Sequence, residues 1–234
     1  MTPAEAHRKA SPWWQYAAAT AVLAALLLPL SARAWQARGE APRVSPDRIR
    51  DTYDQACSFY ALAQYKKARE RFLQASELTT DRMFSLRCKM KAADCLFHDE
   101  RQPPEERYEK ARAAYEQLLG DYPGEPALAR AQFQVGRSFE EMKLHEEATA
   151  AYEAVIARYP RQPLAATALY RIGMCLLSRG DCEDARNTLE RLLKDYPKSP
   201  EAGQAAFDIA RSYALEVEMQ EDAPSEKKPP EKPK

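Results

Sequence analysis

The chain has 234 residues and carries 35 lysines and arginines against 35 aspartates and glutamates, so its formal net charge is zero. This balance gives no electrostatic reason to expect a nucleic acid as partner. Only 7 glycines occur, while alanine, leucine, glutamate and arginine abound, which is typical of helical proteins. We therefore expect an all-α fold.

Residues 1–38 have the pattern of a secretory signal peptide. A basic cluster at residues 7–9 precedes an uncharged apolar run at residues 16–30. The Ala-Arg-Ala motif at residues 32–34 then offers the small residues that a signal peptidase requires. The pattern predicts export of the rest of the chain.

A retained membrane anchor is the alternative for the same region. Tryptophans stand at both edges of residues 13–35, and this segment would span roughly 30 Å as a helix, the thickness of a bilayer core. Pro29 and Arg33 shorten the clean apolar stretch to about 15 residues, which is short for a spanning helix. In both alternatives the basic cluster stays in the cytoplasm and the remainder lies outside it. Residues 39–47 are expected to form a linker.

The middle of the chain repeats. Tyr-Pro pairs recur every 37 residues, at positions 122–123, 159–160 and 196–197. A fixed period of this size predicts a solenoid of stacked supersecondary units.

Each unit has the pattern of a helix hairpin. In one unit, two apolar runs at helical spacing flank the break at residues 178–181, where Gly180 is suited to end one helix and Asp181 to cap the next. The following Tyr196-Pro197 closes the second helix, because proline cannot continue it. The small residue Gly173 should let the two helices approach closely.

This pattern resembles the tetratricopeptide repeat, a family of helix-hairpin solenoids. The third unit matches its signature with Gly136, Phe139, Ala148, Tyr152 and Pro160. The resemblance covers residues 48–217 and implies a right-handed superhelix of four hairpins plus a capping helix. Six extra residues, 101–106, are expected in the inter-helix turn of the second unit. Residues 218–234 are too polar and proline-rich to fold and are expected to form a disordered tail.

A narrower resemblance concerns the joint between units. Residues 194–202 look like repeats of bacterial envelope proteins, namely the BamD-like outer-membrane assembly lipoproteins and the periplasmic protein of the Tol-Pal system. The first cysteine, Cys57, comes well after the apolar run, so no lipid-anchor cysteine is available, and the chain departs from the lipoproteins here. The resemblance implies a place in the bacterial cell envelope with the repeats on the periplasmic side.

No pattern in the chain predicts catalysis, a cofactor or a metal. There is no phosphate loop, no nucleophile elbow and no second histidine near His98 or His145. Cys88 and Cys95 lie seven residues apart on one helix, too far for a disulfide. Small cysteines that fill helix contacts are the preferred interpretation, with a disulfide between residues 175 and 182 as the alternative.

Binding of another polypeptide is the predicted function. In the family that the chain resembles, the first helix of each hairpin lines a concave groove, and apolar anchors with scattered arginines there suit a peptide or a helix. The resemblance implies these groove residues: Tyr53, Tyr60, Phe97, Phe133, Arg137, Tyr170, Met174, Leu177, Phe207 and Arg211. The alternative for some of them is packing between helices.

We thus expect a non-enzymatic scaffold of the cell envelope that holds another protein or peptide. The membrane would be a further partner through residues 13–35 if that segment is retained. The alternative is self-association, in which copies of the chain build a structural component of an envelope complex. A chaperone tail is not indicated as partner, because Arg130, Gln134 and Arg137 replace the lysine-asparagine clamp of relatives that bind such tails.

Overall fold

The computed structural model describes residues 45–222, and this part of the chain is built of α-helices with one short 3-10 helix and no strand. The all-α prediction is confirmed. The 3-10 helix is Pro126–Leu128, and the α-helices are α1 Pro46–Ala61, α2 Tyr65–Leu78, α3 Arg82–His98, α4 Pro104–Asp121, α5 Ala129–Glu141, α6 His145–Arg158, α7 Pro163–Arg179, α8 Cys182–Asp195 and α9 Ala202–Asp222.

The helices form a stack in chain order. Each helix packs mainly against the one before it and the one after it. This gives four hairpins, α1–α2, α3–α4, α5–α6 and α7–α8, followed by α9, as the repeat predicted. Such nearest-neighbour packing is the hallmark of a solenoid, whose core is continuous along the stack.

The Tyr-Pro pairs end the second helices, as predicted. Tyr122, Tyr159 and Tyr196 occupy the C-cap positions of α4, α6 and α8, with φ values of −129°, −131° and −131°. Each donates its backbone N–H to a carbonyl four residues earlier, at distances of 3.1, 2.8 and 2.8 Å. The proline that follows cannot extend the helix, so the chain turns toward the next hairpin.

The turn within the fourth hairpin is only partly as expected. Gly180 adopts φ 85° at the C-cap of α7, a left-handed conformation that glycine reaches without steric cost. Asp181 stands at the N-cap of α8, but its side chain makes no capping hydrogen bond. Instead it pairs with Nε of Arg179 at 3.1 Å, because the arginine ends the preceding helix beside it.

The six extra residues of the second unit extend a helix as well as a turn. The connection between α3 and α4 covers residues 99–103, against 142–144 in the third hairpin. Helix α4 has 18 residues, whereas α2, α6 and α8 have 14 each. The insertion therefore adds one helical turn, which Pro104 can begin because the first turn needs no backbone donor.

Two glycines set the distance between helices within hairpins. A Cβ atom at Gly136 would lie 2.6 Å from Cε1 of Tyr152, and one at Gly173 would lie 2.6 Å from Cδ2 of Leu189. Both partner side chains are fully buried in the second helix of the same hairpin. The predicted close approach at Gly173 is confirmed, and the side chain that occupies the space is Leu189.

The two ends of the chain differ in how far the structure describes them. Helix α9 continues to Asp222, so residues 218–222 of the expected tail are helical, and α1 already begins at Pro46. The expected signal or anchor segment, most of the linker and residues 223–234 lie outside the described residues. Within residues 45–222, no helix has the length and apolar character needed to cross a membrane.

Candidate partner-binding surface

Helices α1, α3, α5 and α7 are the first helices of the hairpins, and α9 follows the last hairpin in the position of another first helix. We call the solvent-facing side of these five helices the first-helix surface. Three predicted groove residues do not belong to it. Phe97, Phe133 and Leu177 are 4, 8 and 9% exposed. Phe133 packs against Tyr152 of its own hairpin, with ring centroids 5.2 Å apart. These three side chains are part of the core, which agrees with the alternative of packing between helices.

The other predicted groove residues are half-buried or exposed, and most already have partners within the stack. Tyr170 donates a 2.9 Å hydrogen bond to Asp208, and Arg211 lies 3.0 Å from the same carboxylate. The Arg137 guanidinium lies 4.8 Å from the ring centre of Phe97. The structure spreads the remaining residues along the stack and does not gather them in one pocket: Tyr53, Tyr60, Met174 and Phe207.

A cavity of about 220 Å³ opens on the first-helix surface between α3 and α5. Its apolar lining includes Met83, which is 42% exposed at the mouth, and the buried Leu86 and Met90. Methionine side chains adapt their shape to varied apolar ligands. The rim carries three cations, Arg87, Lys91 and Arg130. We call this cavity the α3–α5 pocket.

Two rim cations of the α3–α5 pocket are free to bind an anion. Neither Arg87 nor Lys91 has a carboxylate partner in the part of the chain that the structure describes. The Lys91 ammonium lies 5.4 Å from the ring centre of Tyr60, which restricts its position without neutralising it. The third cation, Arg130, binds Asp94 at 2.6 Å and remains half exposed.

Charge is segregated between the first and second helices of hairpins two and four, although the whole chain is neutral. Helix α3 carries four lysines and arginines against one carboxylate, and α7 carries two arginines and none. The second helices α4, α6 and α8 each carry more carboxylates than cations. Helix α5 carries two arginines and two glutamates, so the basic character of the pocket comes from α3, and it favours acidic ligands.

Behind the pocket, Asp94 joins three helices. It is 1% exposed on α3, and its Oδ1 accepts a 2.8 Å hydrogen bond from the Tyr115 hydroxyl of α4. Its Oδ2 accepts from Arg130 of α5. The same Tyr115 oxygen accepts a 3.4 Å hydrogen bond from Gln134. Because a buried carboxylate is stable only when it is paired, this network fixes Arg130 at the rim.

The arrangement recurs one hairpin later. Glu140 of α5 accepts hydrogen bonds from the Tyr152 hydroxyl of α6 at 2.6 Å and from Arg171 of α7 at 3.1 Å. Sequence reasoning missed both networks. The signal was present in the 37-residue step that relates Tyr115 to Tyr152, since a buried tyrosine needs a hydrogen-bond partner.

Burial and the adjacent carboxylates keep these tyrosines protonated. For Tyr115, burial and then Asp94 raise the pKa far above the usual value of 10. Burial and then the hydrogen bond to Glu140 do the same for the pKa of Tyr152. Both hydroxyls therefore remain hydrogen-bond donors, and neither is a base or a nucleophile at neutral pH.

All five cysteines lie in the described residues and are free thiols, so the alternative of a disulfide between Cys175 and Cys182 is wrong. Four of them are buried and Cys57 is half-buried. Burial raises the pKa of Cys88, Cys95 and Cys175 to about 12. These thiols fill contacts between helices, as predicted. They are unreactive because the thiolate, the reactive form, is rare at neutral pH.

A second and larger cleft, of about 790 Å³, lies on the other side of the stack between α2 and α4. Its cations include Lys66, Arg69 and Lys110, but Lys110 is already bound by Glu106 and by Gln102. Side chains with potential metal ligands do not cluster in groups of three or more anywhere in residues 45–222. The α3–α5 pocket is the better candidate for binding because it combines its cations with the large apolar side chains Met83, Leu86 and Met90.

Comparison with known families and structures agrees with this architecture. Models described as tetratricopeptide repeat match residues 53–126, 105–163, 136–181 and 167–199, which together span more than half of the chain. No curated protein sequence matches the chain significantly.

Several solved structures share the fold. The TPR-like repeats of a kinesin light chain from Podosopora anserina align with a TM-score of 0.57 and 17% identity, covering 76% of this chain and 90% of that one. Aspartyl phosphate phosphatase F from Bacillus subtilis aligns with a TM-score of 0.58 and 19% identity, and the alignment covers 83% of this chain and 53% of the phosphatase. A Rap protein complexed with Competence and Sporulation Factor aligns with a TM-score of 0.50 and 17% identity, and the alignment covers 73% of this chain and 49% of the Rap protein. This chain spans about half of the latter two.

Proposed function

This chain belongs to the tetratricopeptide repeat family, and we propose that it is a non-enzymatic scaffold that holds a partner polypeptide on its first-helix surface. The α3–α5 pocket is the observation that carries the proposal, because it combines an apolar lining with two cations, Arg87 and Lys91, that have no carboxylate partner within residues 45–222. Hairpin stacks of this kind present extended surfaces for binding. The structure of a Rap protein with a bound factor illustrates such binding on a related fold.

The chemistry of the pocket defines the class of partner. An apolar side chain of the partner enters between Met83 and Met90, where it leaves water. Carboxylates beside it pair with Arg87 and Lys91 at the rim. A segment that alternates large apolar residues with aspartate or glutamate meets both requirements.

Site-specific photocrosslinking tests the proposal in the cell. A photoreactive phenylalanine analogue at Met83 would stand at the mouth of the pocket, and the same analogue at Leu144 is a matched control, since the two side chains are 42 and 41% exposed. We expect a discrete crosslinked polypeptide at Met83 that is lost when Arg87 is changed to glutamate. Equal crosslinking at both positions, or none at Met83, would contradict the proposal.

We further propose that the scaffold works in a bacterial envelope, with its repeats on the periplasmic side. The support is the basic cluster at residues 7–9, the apolar run at residues 16–30 and the Tyr-Pro joints that resemble envelope repeats. Sequencing the N-terminus of the mature protein distinguishes the two modes of export. Trp35 as first residue would prove cleavage after Ala34, whereas an intact N-terminus in the membrane fraction would prove an anchor.

The location itself is tested by protease added to intact cells with a permeabilised outer membrane. Periplasmic repeats are digested under these conditions, and a cytoplasmic control protein is not. Protection of the repeats until the cells are lysed would refute the envelope assignment without affecting the pocket.

A further inference from the structure

Helix α9 exposes an apolar face. Phe207, Tyr213 and Val217 are 61, 56 and 53% exposed, and they are three of the few large apolar side chains that face solvent in the described residues. Alanines at 206, 210 and 214 lie on the same face and are exposed too. Exposed helix faces of soluble proteins are normally polar, so this one is expected to be covered.

The other hairpins show what covers the equivalent face. Phe133 lies two 37-residue repeats before Phe207. The ring of Tyr152 on α6 packs against Phe133, with ring centroids 5.2 Å apart. In the first hairpin Tyr53 packs on Phe72 of α2 at 5.5 Å. Gly173 receives Leu189 of α8, and Ala210 is its equivalent one repeat later. The exposed face of α9 is thus the surface on which a second helix packs.

The described chain does not supply that second helix. The turn at residues 142–144 would recur at 216–218, yet α9 continues through these positions to Asp222. The face of α9 is an incomplete copy of an interface that the fold builds four times, and only another helix can complete it in the same way.

We propose that this helix is α9 of a second copy of the chain, packed antiparallel about a two-fold axis at Ala210. This register places Phe207 opposite Tyr213 of the other copy and alanine 206 opposite alanine 214. Two such aromatic pairs then flank a close contact between alanines, one on each side. The face is therefore complementary to itself, as a two-fold interface requires.

Charge favours a second copy as the occupant. The exposed face of α9 up to Val217 carries one charged side chain of its own, Arg211, and Asp208 of the same helix lies 3.0 Å from it. Arg186 of α8 lies 4.3 Å from the ring centre of Tyr213 and is itself paired with Glu216. The two-fold axis brings Arg211 of both copies near each other, and each arginine is neutralised by its own Asp208. The contact is separate from the α3–α5 pocket, so it stands or falls independently of the proposed function.

Disulfide trapping in the full-length chain tests the register. Facing Cα atoms of helices packed at about 9 Å lie about 5 Å apart, so Ala210→Cys is expected to form a disulfide-linked dimer on mild oxidation. Ala206→Cys alone is the control, because its two copies would be about 12 Å apart along the axis. A Cys57→Ser background removes the one native thiol that is not fully buried. Equal trapping at 206 and 210, or none at 210, would overturn the register.

Mass measurement in a mild detergent tests the interface itself, since the detergent keeps residues 16–30 soluble. We expect the full-length chain to have twice the mass of one copy and Phe207→Asp to halve it. Leu62→Asp is the matched control, because Leu62 is 67% exposed at the turn of the first hairpin. A single-copy mass for the unmodified chain, or a dimer that persists in Phe207→Asp, would refute the proposal and leave the face to a different helix.

Discussion

The hydroxyl of Tyr115 donates a 2.8 Å hydrogen bond to Oδ1 of Asp94, and this bond joins the two helices of the second hairpin. Arg130 of the third hairpin holds the other oxygen of the same carboxylate. One buried carboxylate thereby connects three consecutive helices and positions a cation at the rim of the α3–α5 pocket. The stability of the stack and the electrostatics of the pocket depend on the same group.

Replacing Asp94 by alanine should destabilise the stack strongly. The Tyr115 hydroxyl would lose its acceptor in the core, and we expect the free energy of unfolding to fall by about 3 kcal/mol. Tyr115→Phe, which leaves the pair between Asp94 and Arg130 intact, should cost about 1 to 2 kcal/mol. Urea denaturation followed by circular dichroism measures both. Asp54→Ala, at an exposed acid of α1, should change little, and a similar loss there would refute the assignment.

Gly136→Ala should destabilise the protein although alanine favours helices. The gain in helix propensity is about 1 kcal/mol, but the new methyl group would meet the Tyr152 ring at 2.6 Å, and overpacking costs about 1 to 3 kcal/mol. The Tyr152 hydroxyl is held by Glu140, so the ring cannot move away freely. We expect a lower midpoint of thermal unfolding.

Gly120→Ala is the matched control for the glycine substitution. Gly120 also lies in a helix, α4, but a Cβ atom there would meet nothing within 4 Å. This variant should be as stable as the unmodified chain or more stable by up to about 1 kcal/mol. If both alanine variants were equally stable, the close contact at Gly136 would not limit the packing.

Thiol labelling of the native protein should be slow at four of the five cysteines. Burial raises the pKa of Cys88, Cys95 and Cys175 to about 12, and Cys182 is buried as well. At about pH 8 an aromatic disulfide reagent should therefore modify at most Cys57 quickly, and all five only after unfolding. Rapid modification of two or more thiols in the folded chain would contradict this packing.

The ring of His98 makes stability depend on pH. Burial lowers the pKa of His98 below 6.5, as do Arg137, Arg107 and Arg130, while Asp94 opposes the shift. The folded state thus binds fewer protons than the unfolded one, so this contribution is complete above about pH 6.5 and decreases as the pH falls below it. The His98 ring stacks on the Tyr65 ring, with centroids 6.0 Å apart, and His98→Phe preserves this contact without the titratable group.

Urea titrations at about pH 7.5 and about pH 5 measure the difference. The unmodified chain should lose more stability between them than His98→Phe does. Identical losses would show that the protonation of His98 is not coupled to folding.

The repeat predicted the hairpins well because its signals are local. A proline after each second helix and a small residue at each contact act within one unit, so Tyr159 and Gly173 could be interpreted without knowing the rest of the fold. The period alone does not show which side of a first helix faces its own hairpin. For this reason Phe133 was expected on the surface, whereas Tyr152 covers it.

The pocket was harder to predict because it joins residues from two hairpins. Four cations between residues 82 and 91 are visible in the sequence, but their freedom to bind depends on where the carboxylates lie. The two nearest acids in sequence are Asp81, which caps the N-terminus of α3, and Asp94, which serves Tyr115 and Arg130. Only the packing of α3 beside α5 shows that, among residues 45–222, no carboxylate pairs with Arg87 or Lys91.

The most direct measurement is the affinity of a peptide, selected from a random library on the full-length chain, for charge-reversed variants. We expect the selected sequences to place aspartate or glutamate beside a large apolar residue. Arg87→Glu should weaken binding about tenfold or more, a loss of about 1.4 kcal/mol, and added salt should weaken it further. Lys194→Glu reverses an exposed charge on α8, away from the pocket, and should leave the affinity within about twofold. Equal affinity of the Arg87→Glu variant and the unmodified chain would contradict binding at the α3–α5 pocket.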